Sequence, residues 1–190
     1  MRKHLPAWAI LTLIGLIAAL CLGAVYELTR EPIARRTAEE AERTRKELVP
    51  EAASFEEAEY EGLDSLFLAK NEDGETVGYV GKTTVQGFGG EIEVSVGLNG
   101  EGLLSGISVG GEHFSETAGL GARAKDAGFT DQFGGKTLPV ATRANGGEID
   151  ALTASTITSN AVVRAVNAAG SAIAGFAGIE SDTEGDDAQP

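Results

Sequence analysis

Hydrophobic and polar positions along this chain fall into three regimes. Residues 7–26 carry no charge and are dominated by Leu, Ile and Ala, and a helix of about 20 such residues is long enough to cross the hydrocarbon core of a bilayer. Residues 29–49 are charged, with Glu39–Arg43 and Glu42–Lys46 in the favourable i,i+4 order, which predicts a second helical stretch. Its apolar positions Ile33, Ala34, Ala38 and Ala41 do not sustain a heptad, so the pattern favours a solvated stalk over a coiled coil. The segment through Ser65 is acidic and weakly patterned. From Leu66 the period changes to two: 66–69, 77–80, the alternation Ile92, Val94, Val96, and 103–109 read as short strands separated by Gly, Asn and Asp turns, with Asn99-Gly100 as a hairpin signal. Farther on, Ala161, Val162, Ala165, Val166, Ala169 and Ile173 recur at helical spacing and predict an amphipathic helix from about Ser159 packed on that sheet. The expected class is α+β: a single transmembrane helix, then one domain with a mainly antiparallel sheet and packed helices. The expected divisions are a leader at 1–6, an anchor at 7–26, a charged stalk helix and linker at 27–65, the folded domain at 66–179, and a disordered acidic tail at 180–190.

Charge and rare residues narrow the chemistry. The chain carries 15 basic and 29 acidic residues, a formal charge of −14 that lies mostly beyond the anchor, and this argues against nucleic acid as a partner. Cys21 is the only cysteine, so neither an intrachain disulfide nor a cysteine-ligated iron–sulfur cluster is available. Leu20 stands before it where a lipoprotein cleavage site needs a small residue. With two histidines, His4 in the leader and His113 in a separate loop with no second His or Cys beside it, no metal site is expected. Arg2 and Lys3 ahead of the apolar run place the leader on the cytoplasmic side, although Arg30, Arg35 and Arg36 beyond it weaken the asymmetry. A cleavable signal peptide is the competing reading, but its apolar region usually runs to only about 7–15 residues.

Two stretches carry candidate chemistry. Thr153, Ser155, Thr156, Thr158 and Ser159 crowd the start of the predicted helix. A helix N-terminus offers unpaired N–H groups and a partial positive charge, so a phosphate would be held there; a Ser/Thr-rich cap with no ligand is the plainer alternative. The second stretch is His113 to Gly121, where Gly119 and Gly121 allow close backbone approach to a flat ring, Leu120 can cover its face, and Glu116 and Thr117 can offer hydrogen bonds to a polar edge. Alone, Gly-Leu-Gly is also what an ordinary turn looks like.

Together the two stretches resemble a known family. Asp150-Ala-Leu-Thr153-Ala154-Ser155-Thr156 is similar to the flavinylation signature of the G subunits of Rnf-type electron-transport complexes and of the related C subunit of the sodium-pumping NADH:quinone reductase. There an Asp precedes Ser/Thr-Gly-Ala-Thr, and the last Thr bears FMN. This chain departs at Ala154, where Gly is usual and a Cβ forbids an easy positive φ, and at Ser155, where Ala is usual and a hydroxyl now competes. His113-Phe-Ser-Glu116-Thr117-Ala118-Gly119-Leu120-Gly121 resembles the same family's His-x-x-Glu-Thr-Pro-Gly-Leu-Gly loop, with Ala118 for Pro, followed by Phe129, Gln132, Phe133 and Gly134.

The resemblance implies an electron carrier rather than a complete enzyme, with no catalytic residue and His113 given no such role. It implies covalent FMN on Thr156 as a phosphoester, in a site that includes Asp150, Thr153, Ser155, Ile157, Thr158, Glu116, Thr117, Gly119, Leu120 and Gly121. It implies an extracytoplasmic FMN-binding domain on a single-pass membrane protein. The implied partners are the other membrane subunits of an Rnf complex, which moves electrons between ferredoxin and NAD while translocating ions, and a separate flavin transferase that uses FAD. Two alternatives stay open: the same flavin in a C-subunit-like protein or another extracytoplasmic reductase, and a non-redox anchored module. No Rossmann or P-loop fingerprint is present.

Overall fold

The computed structural model describes residues 6–179, so the expected leader apart from Pro6, His4 within it, and the expected tail at 180–190 lie outside the described residues. The predicted anchor and stalk are one continuous helix, α1 (Ala7–Leu48). It is long and apolar enough to cross a membrane. The chain divides into two compact units, the first ending at Arg43 and the second starting at Thr44. In the first, the large apolar side chains of the helix, Trp8, Leu11, Leu22 and Tyr26 among them, are exposed.

The second unit is built on one antiparallel sheet in simple chain order, β1 (Ser54–Ala58), β2 (Ser65–Lys70), β3 (Thr76–Gln86), β4 (Glu91–Asn99) and β5 (Leu104–Gly110). Each strand pairs with its sequence neighbour, so short connections suffice. β1 lies in the stretch read as linker. It is an edge strand whose burial pattern leaves most of its side chains exposed, so it carries almost no hydrophobic alternation and is recruited by pairing with β2. The hairpin at Asn99 forms, by a different device from a two-residue turn: the Asn99 side-chain oxygen accepts from the N–H groups of Glu101 (3.0 Å) and Leu103 (2.9 Å), and Gly102 takes the positive φ of 83° that closes the loop.

Alternation puts Ile92, Val94, Val96 and Leu98 of β4 on one face, all fully buried. There they meet helix α3 (Thr156–Ala177), which presents the predicted stripe of Ala161, Val162, Ala165, Val166, Ala169 and Ile173, each buried. The small residues of α3 let it lie close to the sheet: the Cβ that Gly81 lacks would fall 2.9 Å from Ile173 Cδ1. The opposite face is covered by Leu48 at the end of α1 and by Val49 and Ala52 just after it, which pack with Ala69 and Val80. Leu48 sits over the directly paired Gly97 and Gly106. The Arg45 guanidinium stacks on Phe67, 4.1 Å from the ring centroid. Between β5 and α3 the chain runs through a 3-10 turn (Gly121–Lys125), the short helix α2 (Ala127–Thr130) and a second 3-10 turn (Arg143–Asn145). Phe129 and Phe133 fill the core beneath α2, with rings edge to face at 5.5 Å.

Candidate flavin site

Helix α3 begins at Thr156, three residues before the expected start near Ser159. Thr156 is therefore its first residue rather than a residue ahead of it. Ser155 occupies the N-cap position, yet its side chain makes no capping hydrogen bond. Its carbonyl accepts from the N–H (3.0 Å) and the hydroxyl (3.0 Å) of Ser159. Ser159 Oγ in turn accepts from Leu152 N–H at 2.9 Å. Among the described residues no protein acceptor meets the N–H groups of Thr156, Ile157 and Thr158. The helix thus offers three donors and the positive end of its dipole without a protein cap.

The hydroxyls of the cluster are not equivalent. Thr158 is 1% exposed and Ser155 8%, whereas Thr153 and Thr156 are exposed. Thr156 is therefore the one hydroxyl that is both solvent-facing and on the first turn of the helix. Ala154, in the turn before it, has φ +59°, the only positive φ of a non-glycine residue among those described. The expected obstacle of its Cβ does not prevent the conformation. The left-handed backbone is kept at a cost of about 1–2 kcal/mol relative to an unstrained residue.

Glu116 binds this junction to the rest of the site. Its Oε2 accepts from the Thr158 hydroxyl at 3.0 Å, and its Oε1 accepts from the N–H groups of Phe88 (2.8 Å) and Gly89 (3.1 Å) in the β3–β4 turn. Both carboxylate oxygens are thus engaged within the protein, a different use from the ligand-edge contact expected of Glu116. Gly121 has a similar explanation. It is buried, and a Cβ there would overlap the Glu116 carboxylate and lie 2.9 Å from Thr158 Oγ1. Its glycine makes room for the carboxylate, while Gly119, with φ +76° and open space around it, is the loop position accessible from outside. Thr117 is exposed, and its carbonyl accepts from Leu120 and Ala122, both at 3.1 Å.

Three segments meet at this carboxylate, and each carries an exposed apolar side chain next to its contact: Phe88 (68% exposed), Leu120 (40%) and Ile157 (58%). Among the described residues of the second unit, Tyr60 is the only other large apolar side chain that is exposed. Phe88 escaped the sequence reading. Its signal was a lone aromatic in the run Gly87-Phe88-Gly89-Gly90 between two strands. Asp150 stands apart, exposed and paired through its carboxylate with Arg143 at 2.5 Å. Its backbone is held by Gln132, which accepts from Asp150 N–H at 2.6 Å and donates to Asp150 C=O at 3.3 Å. An exposed hydroxyl, three unpaired N–H groups and an apolar surround fit a flavin mononucleotide at both its phosphate and its ring ends.

Comparisons with known proteins agree with that fit. Residues 87–171 match the family model described as FMN-binding domain. The G subunit of the Na(+)-translocating ferredoxin:NAD(+) oxidoreductase complex of Acetobacterium woodii is 32% identical over 181 residues, covering 83% of this chain and 86% of that protein. The G subunit of the ion-translocating oxidoreductase complex of Methanosarcina acetivorans is 34% identical over 170 residues, covering 84% and 88%. The crystal structure of Shewanella oneidensis NqrC is similar with a TM-score of 0.50 at 16% identity, over 70% of this chain and 74% of that one, which speaks to the fold alone. With identity above 30% across more than four-fifths of its length, the chain belongs to the family of G subunits of ion-translocating Rnf oxidoreductase complexes.

Proposed function

We propose that this chain is the flavin-bearing electron-transfer subunit of a membrane-bound, ion-translocating oxidoreductase complex, and that FMN is joined to Thr156 Oγ1 through its phosphate. The observation that carries the reading is the exposed Thr156 hydroxyl on an uncapped helix N-terminus, beside neighbours Ser155 and Thr158 that are buried. Bound FMN supplies the capacity to take up and release electrons singly or in pairs. The chain's own part is to hold and orient. The N–H groups of Thr156, Ile157 and Thr158, without a protein acceptor, would hold the phosphodiester charge. Phe88, Leu120 and Ile157 provide apolar surface for the ring. Glu116, with both oxygens bound, keeps those three segments in register.

In this reading residues 7–26 anchor the chain as a single span, and the folded domain lies on the extracytoplasmic side, supported by the basic leader Arg2-Lys3. The partners are the other membrane subunits of such a complex and, for maturation, a flavin transferase. Thr153, Asp150, Thr117, Gly119 and Gly121 complete the site, the last through its effect on Glu116. The test is the intact mass of protein taken from its native membrane. The expected mass is that of the polypeptide plus one FMN less water, with flavin fluorescence surviving a denaturing gel. A native preparation with polypeptide mass alone and no residual fluorescence would overturn the covalent assignment.

A further inference from the structure

The six residues from Asp150 to Ser155 have no regular secondary structure before α3 begins at Thr156, yet their first residue is held by a strand-like contact. Gln132 Oε1 accepts from Asp150 N–H at 2.6 Å while Gln132 Nε2 donates to Asp150 C=O at 3.3 Å. A carboxamide can both accept from and donate to one backbone residue, as a neighbouring β-strand does. The amide is itself tied down, since Nε2 also donates to Gly128 C=O at 3.2 Å. Gln132 lies between Phe129 and Phe133, whose rings are buried against each other, so the hydrophobic core sets where it can reach. The Asp150 carboxylate meets Arg143. At the other end of the segment, Ser159 Oγ takes the Leu152 N–H, and Ala154 turns the chain with its positive φ.

We propose that Gln132 is a positioning residue for flavin attachment: by clamping the Asp150 main chain it fixes the path that delivers Thr156 Oγ1 to the transferase. The inference rests on the reading of Thr156 as acceptor. In the step concerned, Thr156 Oγ1 forms a bond to the flavin-side phosphorus of flavin adenine dinucleotide, and the bridging P–O bond breaks. AMP leaves with that electron pair, and the hydroxyl proton passes to a base of the transferase; nothing is oxidised or reduced. Such a transfer requires the attacking oxygen in line with the breaking bond, so a displacement of about 1 Å is enough to cost roughly a hundredfold in rate. Gln132 contacts neither acceptor nor donor and acts through the backbone.

The molecule supplies its own control. Asn167 of α3 makes the same two-way clamp on Val140, accepting from its N–H at 2.8 Å and donating to its C=O at 2.8 Å. This contact lies outside the acceptor segment. The test uses the full chain in detergent with a flavin transferase and flavin adenine dinucleotide, comparing Gln132→Met, Gln132→Glu and Asn167→Leu. Flavinylation is followed by intact mass, and the melting temperature of each unmodified variant is measured alongside. Both Gln132 variants are expected to lower kcat about tenfold or more, with KM for the dinucleotide unchanged because the transferase binds it. Asn167→Leu is expected to stay within about twofold of wild type at temperatures where it is folded, even if it melts lower. Wild-type kcat in folded Gln132→Met would overturn the proposal, as would losses that track melting temperature equally in both sets. A wild-type chain that takes no flavin, or a Thr156→Ala chain that still takes it, would instead sink the assignment of Thr156.

Discussion

The Thr158 hydroxyl donates to the Glu116 carboxylate at 3.0 Å, joining residues 42 positions apart in the chain. Thr158 is 1% exposed, and the other oxygen of Glu116 holds the β3–β4 turn through Phe88 and Gly89. Losing a buried hydrogen bond to a charged acceptor costs about 1.5–3 kcal/mol. Thr158→Val and Glu116→Ala are each expected to destabilise the chain in that range. Because they break the same bond, the double variant should cost less than the sum. Chemical denaturation of the four proteins checks this, and strict additivity would mean the bond contributes nothing.

Ser155 and Thr158 flank Thr156, and the three hydroxyls can be told apart by substitution. Thr156→Ala is expected to abolish the mass increase on co-expression with a flavin transferase, while Ser155→Ala should retain it, since Ser155 is buried at the N-cap position. Fragmentation of the modified peptide locates the phosphoester directly. FMN on Ser155 would show that the residue standing where Ala is usual has captured the reaction.

Ala154 is expected to gain from losing its side chain. Removing the Cβ relieves about 1–2 kcal/mol of left-handed strain, and the greater unfolded-state freedom of glycine returns about 0.5–1 kcal/mol of that. Ala154→Gly should therefore stabilise the chain by about 0.5–1 kcal/mol net. A lower melting temperature for the variant would show that the φ of +59° is not strained here.

Leu120 is 40% exposed beside Gly121 and is expected to shield the ring rather than support the fold. Leu120→Asp should leave attachment at Thr156 largely intact while changing flavin fluorescence through greater solvent access. Phe88→Ala should act in the same direction from the β3–β4 turn. Unaltered emission spectra in fully flavinylated, folded forms of both would remove these side chains from the ring's surroundings.

Lys136 hydrogen-bonds the Glu148 carboxylate and holds it below its ordinary pKa by that bond and by its charge, with Arg143 adding a smaller pull and desolvation opposing. A lowered folded-state value means that this contact stabilises fully above the unfolded-state pKa of Glu148 and fades as pH falls through the folded one. Lys136→Met should return the Glu148 titration upward toward its ordinary range, followed by NMR of the side-chain carboxyl carbon. An unmoved midpoint would assign the shift to another cause.

Much of this protein is written in local periodicity. The apolar run at 7–26, the alternation in β4 and the Ala/Val stripe of α3 each specify an element within a few turns of chain, because burial on one face demands a fixed period. The hydroxyl cluster proposed to hold the acceptor was likewise legible as residue types ahead of a helix. The exposed edge strand β1 was not, since a strand that buries almost nothing leaves no alternation to see. Nor was the start of α3, because Thr156, Ile157 and Thr158 precede the stripe and join the helix through its backbone bonds.

By itself, then, the sequence determined the long apolar helix, the sheet-forming segments, the packing face of α3 and the two stretches proposed as the flavin site. Only the tertiary structure decided which hydroxyls face outward, that Glu116 joins the β3–β4 turn to Thr158, that the missing side chain of Gly121 admits that carboxylate, and that Gln132 grips Asp150 from 18 residues away. The physical reason is range. Propensity and periodicity act between near neighbours along the chain, whereas a carboxylate's partners and a hydroxyl's exposure follow from which distant segments the packed sheet and helix bring against each other.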